Sequence, residues 1–122
     1  MSFTLTGTNL DAPDAAALAR FYQRLLGWTV KVDEPGWVVL QSPDGGHTLN
    51  FQTEARYVRP VWPAVPGSPP MMMHLEVKVD DLRAAVTQAV ALGATVAEFQ
   101  PQNDVRVCLD PAGHPFCLYT ED

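Results

Sequence analysis

The chain has 122 residues, of which 47% are hydrophobic and 18% charged, with a formal net charge of −6. This suits one soluble globular domain that buries roughly two-thirds of its unfolded surface and needs no metal or disulfide to fold. The acidic balance argues against a nucleic-acid partner, which wants clustered Lys and Arg, and the most apolar stretch, Ala84 to Ala97, is too interrupted by Thr87, Gln88, Gly93 and Thr95 to span a membrane.

Residues 3–12 read as a first strand. Asp14 follows as a helix N-cap, and Leu18, Phe21, Tyr22, Leu25 and Leu26 fall on one helical stripe that Gly27 closes. Strands are expected over 28–32, 37–41 and 48–53. They are separated by the turns Asp33-Glu34-Pro35-Gly36 and Ser42-Pro43-Asp44-Gly45-Gly46. The segment YVRPVWPAVPGSPP holds five of the eleven prolines, so it is expected to be an extended linker without regular pairing.

After the linker the plan repeats. Residues 74–79 read as a strand, and Asp80 or Asp81 caps a helix. Its Leu82, Ala85, Val86, Ala89 and Val90 keep the same offsets, and Gly93 ends it. Strands are expected over 94–99, 105–109 and 115–120, with the turn Asp110-Pro111-Ala112-Gly113 before the last. Gly7 to Asp14 and His74 to Asp81 have equal spacing, while the two helices differ by one residue. The fold class is therefore α+β: two tandem βαβββ modules forming a curved mixed-sheet cup with helices on the outer face. Module one covers 1–56, the linker 57–70 and module two 71–122 of a single domain.

Strand alternation assigns the apolar residues to the helix side and the polar ones to the opposite face. The helix-free face then carries Asn9, Asp11, Asn50, Gln52, His74, Glu76, Cys117 and Tyr119. Amides, an imidazole and a thiol are unusual choices for mere solubility, so we read this face as a cup for a small molecule rather than a plain solvated surface.

The paired modules, DAAALARFYQRLLGW after the first strand, HLEVKVDD, the ALGA helix end and the closing DPAGHPFCLY resemble the vicinal oxygen chelate superfamily. That superfamily includes glyoxalases, bleomycin-resistance proteins and extradiol dioxygenases. RYVRPVWP before the second module resembles a glyoxalase-like subgroup of bacterial proteins. The resemblance implies a U-shaped cup holding a divalent metal, with ligands at Gly7, Asn50, His74 and Cys117, where the enzymes place His, Gln or Glu. Here only His74 fits well. Gly7 has no donor, Asn50 is a weak one, and Cys117 replaces a carboxylate, which disfavours Mg²⁺ and Mn²⁺.

The sequence thus leads to a small-molecule-binding protein without a metal, taking a hydrophobic or aromatic ligand; it leans away from an enzyme. The alternative is a metal-dependent lyase, isomerase or dioxygenase of the same superfamily. The ligand-binding candidates are Trp37, Asn50, Gln52, Trp62, His74, Glu76, Cys117 and Tyr119. No cofactor is expected; a divalent metal at His74, with Glu76 and Cys117 as further donors, is the alternative. Trp62 on the linker is the better tryptophan for a pocket wall. Met71, Met72 and Met73 are expected at a rim, a dimer surface or packed on the linker. Arg56 and Arg59 are read as solvated surface charges, with a ligand carboxylate as the alternative.

His47 is expected exposed and His114 structural. Cys117 could act as a nucleophile with His74 as its base, but a small buried filler is the preferred reading. Cys108 and Cys117 flank a turn, so a redox pair across the hairpin is weighed against two reduced strand thiols, which are favoured. Residues 1–12 lack the features of a secretory signal, so the expected compartment is the cytoplasm. Partners are expected to be the small-molecule ligand and, by resemblance, a second copy in a homodimer, with no nucleic acid and no membrane.

Overall fold

A computed structural model describes residues 2–121. The order of elements is β1 (Gly7–Ala12), α1 (Ala15–Leu26), β2 (Thr29–Glu34), β3 (Trp37–Gln41), β4 (Thr48–Thr53), β5 (Leu75–Lys78), α2 (Leu82–Leu92), β6 (Thr95–Val96), β7 (Val105–Leu109) and β8 (Pro115–Tyr119). The chain divides into two compact units, 1–57 and 58–122. Each holds one helix and one four-stranded mixed sheet, ordered β1-β4-β3-β2 in the first and β5-β8-β7-β6 in the second. The first and last strands of each unit run parallel, and the remaining pairs are antiparallel. The two βαβββ modules foreseen in the sequence are therefore present. No helix among the described residues is long and apolar enough to cross a membrane.

In the first unit the Asp14 side chain accepts hydrogen bonds from the Ala16 and Ala17 amides, and Gly27 closes α1 at φ 73°, a left-handed conformation suited to glycine. The stripe buries Leu18, Phe21 and Tyr22 against Val38, Leu40, Leu49 and Phe51, while Leu25 and Leu26 are half-buried. Tyr22 and Phe51 stack with centroids 5.7 Å apart, and both are fully buried. The first strand is shorter than expected, because residues 3–6 form no strand and leave Phe3 and Leu5 exposed.

The second unit repeats the design with smaller side chains. Asp81 caps α2 by accepting from the Ala84 amide. Ala89 is the buried residue of this helix, whereas Val90 is 46% exposed and Leu82, Ala85 and Val86 are half-buried. The offsets match those of α1, but alanine and valine fill less volume than leucine, phenylalanine and tyrosine, so the apolar stripe sinks less deeply.

The strand expected over 94–99 is reduced to Thr95–Val96. Continuing the ladder would pair Ala97 with Val107, and half of that pair exists as the bond from the Ala97 amide to the Val107 carbonyl, 3.0 Å. The reciprocal bond is replaced by the carboxamide of Gln100. Its Nε2 donates to the Ala97 carbonyl at 2.8 Å, and its Oε1 accepts from the Val107 amide at 2.9 Å. A side chain thus completes the sheet where the main chain leaves it.

The segment 57–70 contains neither helix nor strand, yet it is tied into the second unit. The Val61 amide donates to the Pro69 carbonyl at 2.8 Å, with an isolated parallel bridge between Val61 and Pro70. Arg59 Nη1 donates to the Pro111 carbonyl at 3.0 Å, and its side chain lies over Gly113. The Asp110 carboxylate is buried and accepts from the Ala112 and His114 amides, shaping the turn before β8 and giving His114 its structural place. His47 is half-buried rather than exposed, and its ring approaches Thr8 Oγ1 at 3.4 Å.

Candidate functional site

The site lies on the helix-free face of the second sheet. Its geometry follows from two strands. Glu76 on β5 and Cys117 on β8 are register partners in a parallel pair, so their side chains stand together on one face. His74 lies two residues before Glu76 and shares that face. Its Nε2 is 2.6 Å from Glu76 Oε2. The donor atoms of His74, Glu76 and Cys117 all lie within 4.8 Å of one another.

Cys117 also belongs to a small buried cluster with Ala97 and Val107, against which Trp62 and Val105 pack. Trp62 in turn meets Phe99 at a centroid distance of 5.7 Å with the rings tilted. A cavity of about 230 Å³ lies here, lined by Trp62, Met71, His74, Glu76, Pro101, Gln102, Val105, Val107, Pro115 and Cys117. One wall is aromatic and aliphatic, and one corner is polar. The volume is below the ~300–1,000 Å³ of sites for drug-sized ligands, so the cavity suits a ring-sized group.

Burial pushes the Cys117 thiol up to about 11, and the neighbouring Glu76 carboxylate contributes by its charge and by accepting the S–H. At neutral pH this sulfur carries its proton, contrary to what a cysteine nucleophile needs. Burial and the neighbouring carboxylate both work against the thiolate form that a cysteine nucleophile uses. Cys108 is likewise pushed up to about 11 by burial. Both cysteines are free and buried. Val107 pairs with Cys117 and Cys108 with Phe116, so the two thiols point to opposite faces of the sheet, and the hairpin does not bring them together as a redox pair.

In the first unit Asn50 Nδ2 donates to Asn9 Oδ1 at 2.7 Å, and Trp37 sits across from Gln52 on neighbouring strands. Trp37, Asn50 and Gln52 belong to the first unit, and within the second unit Tyr119, two residues beyond Cys117, does not line the cavity. Met71 lines it, whereas Met72 and Met73 are exposed. Sequence reasoning missed Val105, Val107, Pro101, Gln102 and Pro115. The alternation that places Cys117 on the open face also places Val105 and Val107 there, so for these two the signal was present.

The two modules differ in donor chemistry at matching positions. His74 stands in the place of Gly7, Glu76 in that of Asn9 and Cys117 in that of Asn50, all at one constant offset along the chain. In the first unit these positions offer no side chain at Gly7 and an amide pair satisfied by its own hydrogen bond. A Cβ on Gly7 would collide with Thr48 Oγ1, so a side chain at that position requires Thr48 to shift. The oxygen-rich divalent centre that the resemblance implies does not fit this donor set. Hard ions want several carboxylate, carbonyl or water oxygens, and here a thiol and an imidazole flank one carboxylate.

Residues 7–119 match the family described as Glyoxalase-like domain. No curated protein sequence matches significantly. Among solved structures, a glyoxalase/bleomycin resistance protein/dioxygenase family enzyme from Burkholderia phytofirmans PsJN superposes with a TM-score of 0.71 at 20% identity, over 97% of this chain and 98% of that one. TnmS3, an antibiotic binding protein from Streptomyces sp. CB03234, gives 0.64 at 19% identity over 100% and 99%. Lactoylglutathione lyase from Agrobacterium tumefaciens gives 0.63 at 20% identity over 98% and 94%. At these identities the likeness is one of fold, and it spans an enzyme and a binding protein alike.

Proposed function

Since the chain belongs to the glyoxalase-like domain family, in whose fold both catalysts and binders occur, we propose that it is a small-molecule-binding protein. It recognises a flat apolar or aromatic group in the second-module cavity, without the oxygen-chelated ion of the enzymes. The observation that carries this is Trp62, which packs on the Ala97–Val107–Cys117 cluster and forms the wall of the cavity with Met71 and Val105. Desolvating a ring against such a wall is favourable in proportion to the area covered. The polar corner at His74 and Glu76 then selects ligands with a matching polar edge. The antibiotic-binding neighbour supports the ligand class, and the donor-poor first module supports binding over chelate catalysis. We read the protein as a cytoplasmic homodimer.

The test is equilibrium binding of a panel of aromatic antibiotics and simpler ring compounds, followed by fluorescence or calorimetry, with turnover of glutathione hemithioacetals and catechols assayed alongside. Saturable binding of one compound class is expected, weakened about thirtyfold by Trp62→Ala if the ring is an anchor worth ~2 kcal/mol. Turnover of a hemithioacetal or a catechol, or binding indifferent to Trp62→Ala, would overturn the reading.

A further inference from the structure

The helix side of the second sheet carries a second cavity, of about 390 Å³, lined by Leu82, Arg83, Val86 and Thr87 of α2 and by Arg106 of β7. Arg106 pairs with the fully buried Leu118 and alternates with Val105 and Val107, which line the Trp62 cavity. The two cavities therefore lie on opposite faces of one sheet. A guanidinium half-buried on the face that a sheet turns to its helix calls for partners. We propose that this groove binds an aliphatic carboxylate, its chain along Leu82 and Val86 and its carboxylate between Arg83 and Arg106. The site is independent of the aromatic-ligand reading above, which concerns the other face.

The first module shows the same groove filled. The constant offset sets Ala16, Ala19 and Arg20 in the places of Arg83, Val86 and Thr87. Phe51 corresponds to Leu118, so its partner Val38 corresponds to Arg106. These four line a cavity of only about 100 Å³. There β2, six residues long, adds Val30 and Asp33 to the walls, and Asp33 pairs with Val38. In the second module β6 ends at Val96, so no β6 residue pairs with Arg106. The groove stays open, and a guanidinium stands where its counterpart is a buried valine. Charge points the same way. Arg106 Nη1 donates to the Gln102 and Asn103 carbonyls at 3.1 Å and to the Val105 carbonyl at 2.9 Å, which fixes the guanidinium. Its Nε and Nη2 make no hydrogen bond with a described residue. Neither arginine is ion-paired among the described residues, and no described acidic residue lines this groove, whereas Asp33 shares the first module's cavity with Arg20. Thr87 Oγ1 donates to the Arg83 carbonyl, so recognition of a charge falls to the two guanidiniums, whose planar forks match a carboxylate. Leu82, Val86 and the arginine stems favour an anion with a hydrocarbon chain over a small hydrated one. The volume falls within the ~300–1,000 Å³ of small-molecule sites.

The experiment titrates the full chain with octanoate by calorimetry, with octanol, octylammonium and inorganic phosphate as comparison probes, while side-chain NMR shifts report where each binds. Saturable octanoate binding is expected, with the methyls of Leu82 and Val86 and the Nε of Arg106 shifting and the Trp62 indole unmoved. Octanol and phosphate should each bind at least about tenfold more weakly, one for want of the charge and the other of the chain, and octylammonium should not bind. Arg106→Met should weaken octanoate binding about tenfold or more and Arg83→Gln severalfold. Arg24→Gln, which removes an exposed charge from α1, should leave it unchanged. Failure of octanoate to saturate, octanol or phosphate binding as tightly, shifts at Trp62 in place of α2, or affinity indifferent to either arginine substitution overturns the proposal. If Arg106→Met does not fold, having lost three hydrogen bonds to its loop, the exposed Arg83→Gln decides alone, since unchanged affinity there is equally fatal. Because octanoate and the aromatic probes report at different residues, failure here leaves the aromatic-ligand reading standing, and the reverse also holds.

Discussion

Replacing Gln100 by alanine tests how the second sheet is completed. The carboxamide makes three hydrogen bonds: Nε2 to the Ala97 and Val107 carbonyls at 2.8 and 2.9 Å, and Oε1 from the Val107 amide at 2.9 Å. The two carbonyls differ in what they lose, because Val107 O keeps the Ala97 amide as a donor. The Val107 amide loses its partner, and an orphaned group of this kind costs about 1–3 kcal/mol, against roughly 1 kcal/mol for an ordinary bond that water can replace. The expected total is about 2–3 kcal/mol. An entropy of unfolding of about 2.1 cal/mol/K per residue converts each kcal/mol into roughly 4 °C for a chain of this length, so Tm should fall by about 8–12 °C. Thermal and urea unfolding measure the total, and hydrogen exchange locates it, since the Val107 amide should lose protection ahead of the amides of β3 and β4. A loss no larger than the ~0.5 kcal/mol scatter of neutral surface substitutions, or unchanged Val107 exchange, would show that the sheet holds without the side chain.

Other expectations concern single groups. Glu76→Gln removes the charge that helps to raise the Cys117 thiol, so alkylation of Cys117 at pH 8 in chelator should accelerate severalfold by peptide mapping; burial, the larger cause, keeps it below that of a free thiol. Both thiols titrate higher in the fold, near 11 against an ordinary 9.0, so folding favours their protonated forms. That stabilisation is present below pH 9 and is lost as pH rises through about 11, so the urea midpoint should decline across this window; a flat profile contradicts it. Asp14→Ala should cost about 1 kcal/mol, because two amides at the start of α1 lose their acceptor. Gly113→Ala should destabilise by about 1–3 kcal/mol, since φ is 91° and the new methyl would come within 2.5 Å of Arg59 Cγ. Adding Arg59→Ala should restore only the steric part, and full restoration would refute a backbone contribution.

The doubled module was legible because it rests on local chemistry. Asp14 and Asp81 as caps, Gly27 and Gly93 as stops, and strand alternation all act within a few residues. The corner formed by His74, Glu76 and Cys117 was also within reach, since alternation sets the face and the repeat pairs the strands. What stayed hidden was decided by volume and by distant partners. The shallow seat of α2 depends on how little alanine fills a groove, and the truncation of β6 depends on a glutamine reaching back to Val107. The partner of Arg59, the Pro111 carbonyl, lies 52 residues away, so nothing local announces it. Asn50, Gln52 and Tyr119 share polarity and a sheet face with His74 in the sequence pattern, and Trp37 offers an aromatic wall. Beside Trp62, His74, Glu76 and Cys117, the second-unit cavity is lined by valines and prolines that carry no chemical signal in the sequence.

The constant offset between the modules supplies the protein with its own control. The polar corner of the second module has a mute twin on the same scaffold, in which two asparagines satisfy each other and a side chain at position 7 would meet Thr48 Oγ1. Writing histidine, glutamate and cysteine at 7, 9 and 50 should not transplant the corner while Thr48 stays. Converting Thr48 to alanine, which removes Oγ1 and keeps the amide that donates to the Thr6 carbonyl, should be the step that admits the imidazole. Gain of function in one half can then be compared with loss in the other, inside a single molecule and under identical conditions.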